Sequence, residues 1–192
     1  MKYPFIFSIS VILFAAAANV NAQFKRIDST LKMGKVGYKV LCNNKSTEQN
    51  ELSIKPVGFD KDARELAFYI KGHVAKTEID DLNNDGFPDL VVYIFSGANA
   101  EYGTVYAFAS DQNKSYVPFP LPDVMLDGKL KEGYKGHDEF TLLEGKLIQQ
   151  FPLYKPDDNK DKPTGGKRVV MYTVVASGGG FQFKVQRTYD IK

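Results

Sequence analysis

The apolar residues of this chain come in short runs, and this pattern restricts the fold more than any other feature. Val, Ile, Phe and Tyr dominate the runs, and breaks rich in Gly, Asn, Asp or Pro separate them, which is typical of strands joined by turns. No amphipathic pattern lasts for three helical turns. We therefore expect an all-β fold, an antiparallel β-sandwich or barrel-like single domain with long connecting loops. The runs lie at residues 36–41, 52–56, 66–70, 90–95, 105–108, 140–143, 147–151, 169–175 and 181–185.

Turn chemistry predicts two hairpins and one irregular connection. Gly145 joins the runs at 140–143 and 147–151, and three consecutive glycines at 178–180 join the last two runs. Glycine takes the positive φ that a tight reversal requires. Alternating prolines in residues 115–127 cannot donate ladder hydrogen bonds, so this stretch is predicted to be an extended connection or an edge strand. Residues 27–33 fit a short helix or a ragged N-terminal arm, and the sequence does not decide between them.

The N-terminus has the pattern of a secretory signal peptide. Lys2 precedes an apolar run at residues 5–18, and small residues at 20–22 provide a cleavage site before Gln23. The apolar run is about 14 residues long, whereas a membrane-spanning helix needs about 20. We therefore expect residues 1–22 to be removed and the mature protein to be periplasmic or secreted, with no membrane as its partner.

The mature chain, residues 23–192, is expected to form one domain that is stabilised by burial alone. Cys42 is the only cysteine, so no internal disulfide can form, and we expect its thiol to be a buried small hydrophobe. Without Lys2 the 25 basic residues fall to 24 against 23 acidic ones, a formal charge of +1. This balance argues against nucleic acid as a partner. It leaves the oligomeric state open.

An acidic loop between residues 81 and 89 has the spacing of calcium ligands. Oxygen-bearing side chains occupy positions one, three, five and nine, and the Phe87 carbonyl could add another ligand. No glutamate stands at position twelve, and apolar runs flank the loop. Alternatively, the side-chain oxygens accept hydrogen bonds from backbone N–H groups in a tight turn that binds no metal. The sequence leaves both interpretations open. The proposed calcium ligands are Asp81, Asn83, Asp85, Phe87 and Asp89; no cofactor is otherwise required.

The loop at residues 96–103 combines small residues with one large ring, that of Tyr102. A loop of this composition can protrude and present a rigid aromatic contact, although a tyrosine at the edge of a sheet can equally be an ordinary rim residue. Nothing around Ser96 has the strand–turn–helix form of a nucleophile elbow. His137 stands next to two carboxylates, but a strand would point those carboxylates to opposite faces, so a loop-fixing role is favoured over acid–base catalysis.

The tract at residues 133–172 is the most distinctive part of the chain. It contains GYKGHDEF, then FPLY, then PTGGKR, in this order. In this order of motifs the chain resembles the periplasmic inhibitors of invertebrate-type lysozymes, from about residue 38 to residue 175. The resemblance implies a protein that blocks the cleft of another enzyme and has no catalytic residues of its own. A calcium-stabilised extracytoplasmic binding module for a glycan or a surface protein is the alternative.

The resemblance also implies where the partner would bind. In the inhibitors a Ser/Gly-rich loop that ends in Tyr-Gly enters the lysozyme cleft, and a second loop contributes to the same face. Asn99 and Ala100 depart from the Ser and Gly expected in the first loop. Arg168 is either a contact or a brace that pairs with Asp157 or Asp158. The implied partner-binding residues are Ser96, Gly97, Asn99, Tyr102, Gly103, Thr164, Gly165, Gly166 and Arg168.

Overall fold

The computed structural model describes residues 24–61, 63–159 and 162–192, and the predicted signal peptide lies outside these ranges. The described residues form twelve strands and one 3₁₀ turn at Val124–Leu126. The strands are β1 Ile27–Met33, β2 Val36–Cys42, β3 Gln49–Val57, β4 Leu66–Lys71, β5 His73–Asp80, β6 Asp89–Ser96, β7 Tyr102–Asp111, β8 Ser115–Pro120, β9 Glu139–Leu143, β10 Lys146–Pro152, β11 Lys167–Ser177 and β12 Gly180–Ile191.

The strands form three antiparallel sheets, each a meander of four consecutive strands. The orders are β1-β2-β3-β4, β5-β6-β7-β8 and β12-β11-β10-β9. Every pairing joins neighbours in the chain, so hairpin turns such as the one at Gly145 set the register. This architecture confirms the all-β, antiparallel prediction. The linear strand orders leave two edges on each sheet, so the fold is sandwich-like and not a closed barrel.

The middle sheet, β5–β8, lies between the other two and shares a core with each. Along β6, Leu90, Val92 and Ile94 pack into the core with the first sheet. Val91 and Tyr93 point the other way, into the core with the third sheet. Both faces of β6 are therefore buried. This explains why its sequence is continuously apolar, whereas apolar and polar residues would alternate along an outer strand. The sandwich therefore has three layers.

Tyr38 and Cys42, two buried polar side chains of the first core, have hydrogen-bond partners. The Tyr38 hydroxyl donates to the carbonyls of Pro88 (3.0 Å) and Phe108 (3.4 Å). Cys42 is buried as predicted, and its thiol lies 3.0 Å from Asn44 Oδ1. These bonds allow polar atoms to sit in an otherwise apolar layer without the cost of an unpaired group.

Three elements differ from the sequence-based expectations. Residues 27–33 form neither a helix nor an arm but strand β1, which pairs with β2 through a turn at Gly34. Strand β5 was not anticipated, because its sequence alternates weakly and carries three charged residues, Lys76, Glu78 and Asp80. The proline-rich stretch does begin as an edge strand, β8, and then continues into the 3₁₀ turn. No helix in the described part of the chain is long and apolar enough to cross a membrane.

The direction of β6 places the two predicted sites at opposite ends of the molecule. The acidic loop at 81–88 precedes β6, and the loop at 97–101 follows it. Eight residues of strand at about 3.3 Å each separate the loops by roughly 25 Å. We call these the aspartate end and the tyrosine end.

Candidate functional site

The loop between β6 and β7 presents Tyr102 at the tyrosine end. Ser96 and Tyr102 are the last pair of the β6–β7 ladder, so the loop is the closed end of a hairpin. The Glu101 carboxylate folds back and accepts the Asn99 backbone N–H at 2.8 Å. It also lies over Gly97, where a Cβ would meet a carboxylate oxygen at 2.4 Å. The Tyr102 side chain remains 46% exposed.

Two consecutive residues of another segment hold the peptide groups on either side of Tyr102. The His137 backbone N–H donates to the Glu101 carbonyl. The Gly103 backbone N–H donates to Asp138 Oδ2 at 2.8 Å. The backbone of Tyr102 is therefore fixed on both sides while its ring faces solvent. His137 acts here through its main chain, which agrees with the loop-fixing interpretation of the sequence.

Asp138 is the buried centre of a hydrogen-bond network behind the loop. Besides Gly103 it accepts the Tyr134 hydroxyl (2.7 Å) and the Gln149 side-chain amide (2.7 Å). Gln149 in turn accepts the Tyr172 hydroxyl at 2.8 Å. Burial raises the pKa of the Asp138 carboxyl, and its three donors partly oppose that rise. The network ties the Tyr102 loop to β10 and β11 of the third sheet.

The backbone of the GHDEF segment explains its residue types. At Gly136, with φ +84°, a Cβ would lie 2.5 Å from the Glu101 carbonyl oxygen, so only glycine allows this approach. His137 also has positive φ, +64°. Phe140 packs into the third-sheet core, in which its ring meets that of Tyr93. The sequence motif is therefore the support of the Tyr102 loop.

A cleft of about 410 Å³ lies beside Tyr102. Its walls include Tyr102, Tyr134 and, on the far side, the 3₁₀ turn that carries Met125. Asp123 caps this turn by accepting the Met125 N–H at 2.8 Å. Met125 is 54% exposed and Leu126 is 86% exposed, so the turn offers two apolar side chains to solvent. Neither residue was predicted as a contact; the available signal was a Met-Leu pair inside a proline- and aspartate-rich connection.

The second predicted loop is built around Asp158 and Leu153. The Asp158 carboxylate accepts the Thr164 hydroxyl (2.8 Å) and the backbone N–H groups of Thr164 and Lys155 (2.7 Å each). The Gly165 N–H donates to the Leu153 carbonyl, and the Leu153 N–H donates to the Gly166 carbonyl, both at 2.9 Å. A Cβ at Gly165 would lie 2.6 Å from the Leu153 oxygen. Thr164, Gly165 and Gly166 are therefore parts of an ordered loop.

Arg168 braces the fold from within. Its Nε and Nη2 donate to the two oxygens of Asp190 at 2.8 and 3.0 Å, and Nη1 donates to the carbonyls of Lys129, Leu130 and Glu132. The side chain is only 12% exposed. The bracing alternative is thus observed, although with Asp190 in place of the predicted Asp157 or Asp158. Its guanidinium has little surface left for a partner.

The two predicted loops share the tyrosine end, linked by residues 133–138. A Cβ at Gly136 would lie 3.1 Å from the Tyr102 ring. The neighbouring His137 ring stands 6.4 Å from that of Tyr154, and the Tyr154 N–H donates to the Gly133 carbonyl at 2.9 Å. Tyr154 follows Leu153, which is bonded to Gly165 as described above. A partner that covers Tyr102 would therefore also approach the second loop.

The acidic loop at the other end uses its oxygens to cap backbone donors. Asp81 Oδ1 and Asn83 Oδ1 both accept the Asp85 N–H, at 3.0 and 3.1 Å, and Asp85 Oδ1 accepts the Phe87 N–H at 2.9 Å. Two ligand oxygens thus converge on one point, which fits the start of a calcium site as well as an Asx turn. Calcium at this loop stays a prediction.

Asp89 stands apart from the other proposed ligands because it is fully buried. Its two oxygens accept the Leu82 N–H (2.9 Å) and the Ser110 N–H (2.8 Å). Burial raises its pKa to about 7. Asp89 therefore fixes both ends of the acidic loop to the middle sheet, and the exposed part of the loop retains Asp81, Asn83, Asp85 and the Phe87 carbonyl for a cation.

Comparison with known proteins adds no further assignment: no family model matches the chain, and no curated protein shows significant similarity to it.

Proposed function

We propose that the mature protein is an exported inhibitor of lysozyme, most specifically of the invertebrate type, that inserts the Tyr102 loop into the substrate cleft. One observation carries this proposal: the Tyr102 ring is exposed although both of its flanking peptide groups are held by residues 137 and 138. A contact that is already ordered loses little conformational entropy when it binds. Tyrosine is also a residue type enriched among the side chains that dominate interface energies.

Neighbouring surfaces extend this contact. Met125 lines the cleft beside Tyr102, and Met125 and its neighbour Leu126 add exposed apolar area. Thr164 and Gly165 lie on the far side of the 133–138 segment, where a broad partner would reach them. An exposed apolar group with a polar rim is the composition expected of a protein-binding site. The resemblance of residues 133–172 to the lysozyme inhibitors supplies the identity of the partner.

A cell-wall lysis assay tests the proposal. Purified residues 23–192 are mixed with invertebrate-type, chicken-type and goose-type lysozymes, and we expect stoichiometric inhibition of the invertebrate type. Tyr102→Ala should weaken inhibition by about 2 kcal/mol, or roughly 30-fold. Tyr69→Ala is the matched control, because Tyr69 is 68% exposed but lies on β4 of the first sheet.

Two results would contradict the proposal. Wild-type protein that leaves every lysozyme active removes the inhibitor function. Equal losses from Tyr102→Ala and Tyr69→Ala would show that the Tyr102 loop is not the contact. Calcium-dependent retention on a glycan array, with the lysozymes unaffected, would favour the alternative of a calcium-stabilised binding module.

A further inference from the structure

The cleft beside Tyr102 has a floor that belongs to the middle sheet. Tyr102, Thr104 and Tyr106 alternate along β7, so their side chains share one face of the strand. Ser96 and Ile94 lie directly opposite Tyr102 and Thr104 on β6 and belong to the same face. All five residues line the cleft of about 410 Å³. Pockets that bind small molecules have volumes of about 300–1,000 Å³, so this cleft is large enough for a small ligand.

The floor is open because the neighbouring strands end beside it. The Tyr106 ring packs against Phe68 of β4, with the ring centroids 5.6 Å apart. Strand β4 then ends at Lys71, which lines the cleft. Strand β8 pairs with β7 only as far as Tyr106, which lies opposite Pro120. The part of β7 between Tyr102 and Tyr106 is therefore accessible from the cleft.

Four hydroxyl groups of this floor have no hydrogen-bond partner among the described residues, namely those of Ser96, Tyr102, Thr104 and Tyr106. The residues Ser96, Thr104 and Tyr106 are half-buried, yet their hydroxyl oxygens remain accessible to solvent. A hydroxyl can donate one hydrogen bond and accept two. The floor thus offers a ligand several donors and acceptors that the fold itself does not use.

The charges that line the cleft are balanced. Lys71 and Asp123 are the charged residues of its described lining, and neither forms an ion pair with another described residue. One positive and one negative group give no net attraction for an anion or for a cation. The cleft therefore favours a neutral ligand over a phosphate or a polyamine.

Aromatic rings complete the lining. The Tyr102 ring stands 6.5 Å from that of Tyr134, and both line the cleft. The face of an aromatic ring carries partial negative charge, which attracts C–H groups. Sugar rings present C–H groups on their faces and hydroxyls around their edges. Tyrosine rings next to unused hydroxyls therefore complement both parts of a saccharide.

The backbone of β7 at the cleft is already bonded, which disfavours a peptide that adds as a further strand. The Gly103 N–H donates to Asp138 Oδ2 at 2.8 Å, and the Val105 carbonyl accepts the Leu121 N–H at 2.7 Å. Strand addition relies on such main-chain groups for its affinity. A ligand of this cleft has to be recognised by side chains.

We propose that this cleft binds a short neutral oligosaccharide through the rings and hydroxyls of Tyr102 and Tyr106 and the hydroxyls of Ser96 and Thr104. Three of these residues lie within strands β6 and β7, and the backbone of Tyr102 is held by residues 137 and 138, so little conformational entropy is lost on binding. The inference does not rest on inhibition of lysozyme, because the ligand needs no protein partner.

Isothermal titration calorimetry of residues 23–192 with cellotriose and with triacetylchitotriose, both neutral, tests the proposal without any lysozyme. We expect binding of a neutral trisaccharide at one site. Thr104→Val and Tyr106→Phe each remove one hydroxyl and keep the shape of the side chain, so each should raise the dissociation constant about threefold to tenfold. Thr141→Val is the matched control, because Thr141 is exposed on β9 and does not line the cleft. Thermal melting of each variant checks its folding.

Three results would overturn the proposal. The cleft is not a saccharide site if neither trisaccharide binds at millimolar concentrations. Binding that both Thr104→Val and Tyr106→Phe leave intact, or that Thr141→Val weakens equally, occurs elsewhere on the protein. Tighter binding of trigalacturonate, an acidic trisaccharide, would contradict the neutral class. Since lysozyme is absent from the titration, failure here leaves the inhibitor proposal standing, and failure of the lysis assay leaves this one standing.

Discussion

Asp138 and Glu139 are adjacent carboxylates with opposite surroundings. Asp138 is 5% exposed and accepts three side-chain or backbone donors, whereas Glu139 points to the outer face and pairs only with Lys167 in the described contacts. Strand alternation produces this difference, because successive side chains point to opposite faces. A carboxylate accepts several hydrogen bonds at once, and residue 138 must do so in order to hold the Tyr102 loop.

Asp138→Asn should therefore destabilise the protein by about 1–3 kcal/mol, since an amide nitrogen would face at least one of the three donors. Gly103 would lose its anchor, so inhibition of lysozyme should fall as well. Glu139→Gln is the control and should change the free energy of unfolding by less than about 0.5 kcal/mol. Urea unfolding and the lysis assay measure the two effects; equal effects of both variants would show that the network does not support the loop.

Ala100 has a backbone conformation that favours glycine. Its φ is +57°, and the left-handed region costs an alanine roughly 1 kcal/mol. Glycine would adopt this conformation without that cost, so the alanine at this position has a physical consequence. Asn99, the other departure, donates its N–H to Glu101 through the main chain, which any residue except proline can do.

Ala100→Gly should accordingly leave stability unchanged or raise it by up to about 1 kcal/mol, because relief of strain offsets the added entropy of the unfolded chain. Ala98→Gly is the control: Ala98 is not among the positive-φ residues, so glycine there should be neutral or destabilising. Thermal melting of the two variants distinguishes these outcomes. A larger loss from Ala100→Gly than from Ala98→Gly would contradict the strain argument.

Among the elements, the acidic loop is the one whose ligand remains to be tested. Its Asx-type hydrogen bonds can close the turn alone, and its exposed oxygens can also bind a hard cation. If calcium binds, millimolar calcium should raise the melting temperature, because a ligand that binds only the folded state stabilises it. Asp85→Ala should abolish this rise, whereas Asp157→Ala, which removes an exposed carboxylate elsewhere, should not.

The position of the acidic loop allows calcium binding to be tested independently of the proposed inhibition of lysozyme. Because the acidic loop and Tyr102 lie at opposite ends of β6, calcium or chelator should leave inhibition of lysozyme unchanged at temperatures at which the protein is folded. A melting curve that does not respond to calcium would assign the loop to the metal-free turn.

Strand periodicity predicted most elements but not their layering. Alternation and turn residues identified β2–β4, β6, β7 and β9–β12 because each has an apolar face or core. The prolines of β8 predicted only an extended connection or an edge strand. Strand β5 was not predicted from the sequence, because its half-buried face carries Lys76 and Glu78, which form an ion pair at 3.0 Å. The continuous apolar run of β6 indicated full burial, yet a single sequence does not tell which sheets cover its two faces. Those contacts are long-range.

Predicting the candidate site had a similar limit. The composition of residues 96–103 was compatible with a protruding tyrosine or with an ordinary rim residue, and the PTGG segment was singled out only by the family resemblance. Asp138 as the support of the Tyr102 loop was not predictable, because Gly103 and Asp138 are 35 residues apart in the chain. Arg168 was expected near its sequence neighbours but reaches Asp190, its cross-strand partner on β12. The register of β11 and β12, which places Arg168 opposite Asp190, therefore decides which carboxylate the arginine pairs with.

Across the whole molecule, two buried titratable groups respond to pH in opposite directions. Asp89 has its pKa raised to about 7, so its contribution to stability is lost as pH rises from 3.8 toward 7. His73 is 2% exposed, and burial lowers its pKa to about 4. Its neutral form is favoured in the fold, so its contribution is lost as pH falls from 6.5 toward 4. The two effects partly cancel in the wild-type protein.

A variant isolates the histidine contribution. His73 Nε2 has no hydrogen-bond partner among the described residues, and its ring stacks on Phe24, so His73→Phe keeps the stacking and removes the proton site. Between pH 7 and pH 4 the unfolding free energy of the wild type should fall by about 3 kcal/mol relative to this variant, because folding lowers the pKa of His73 from 6.5 to about 4. Urea unfolding of both proteins at several pH values measures the difference. If the difference does not change with pH, the imidazole is hydrated in solution and the N-terminal segment at Phe24 does not cover it.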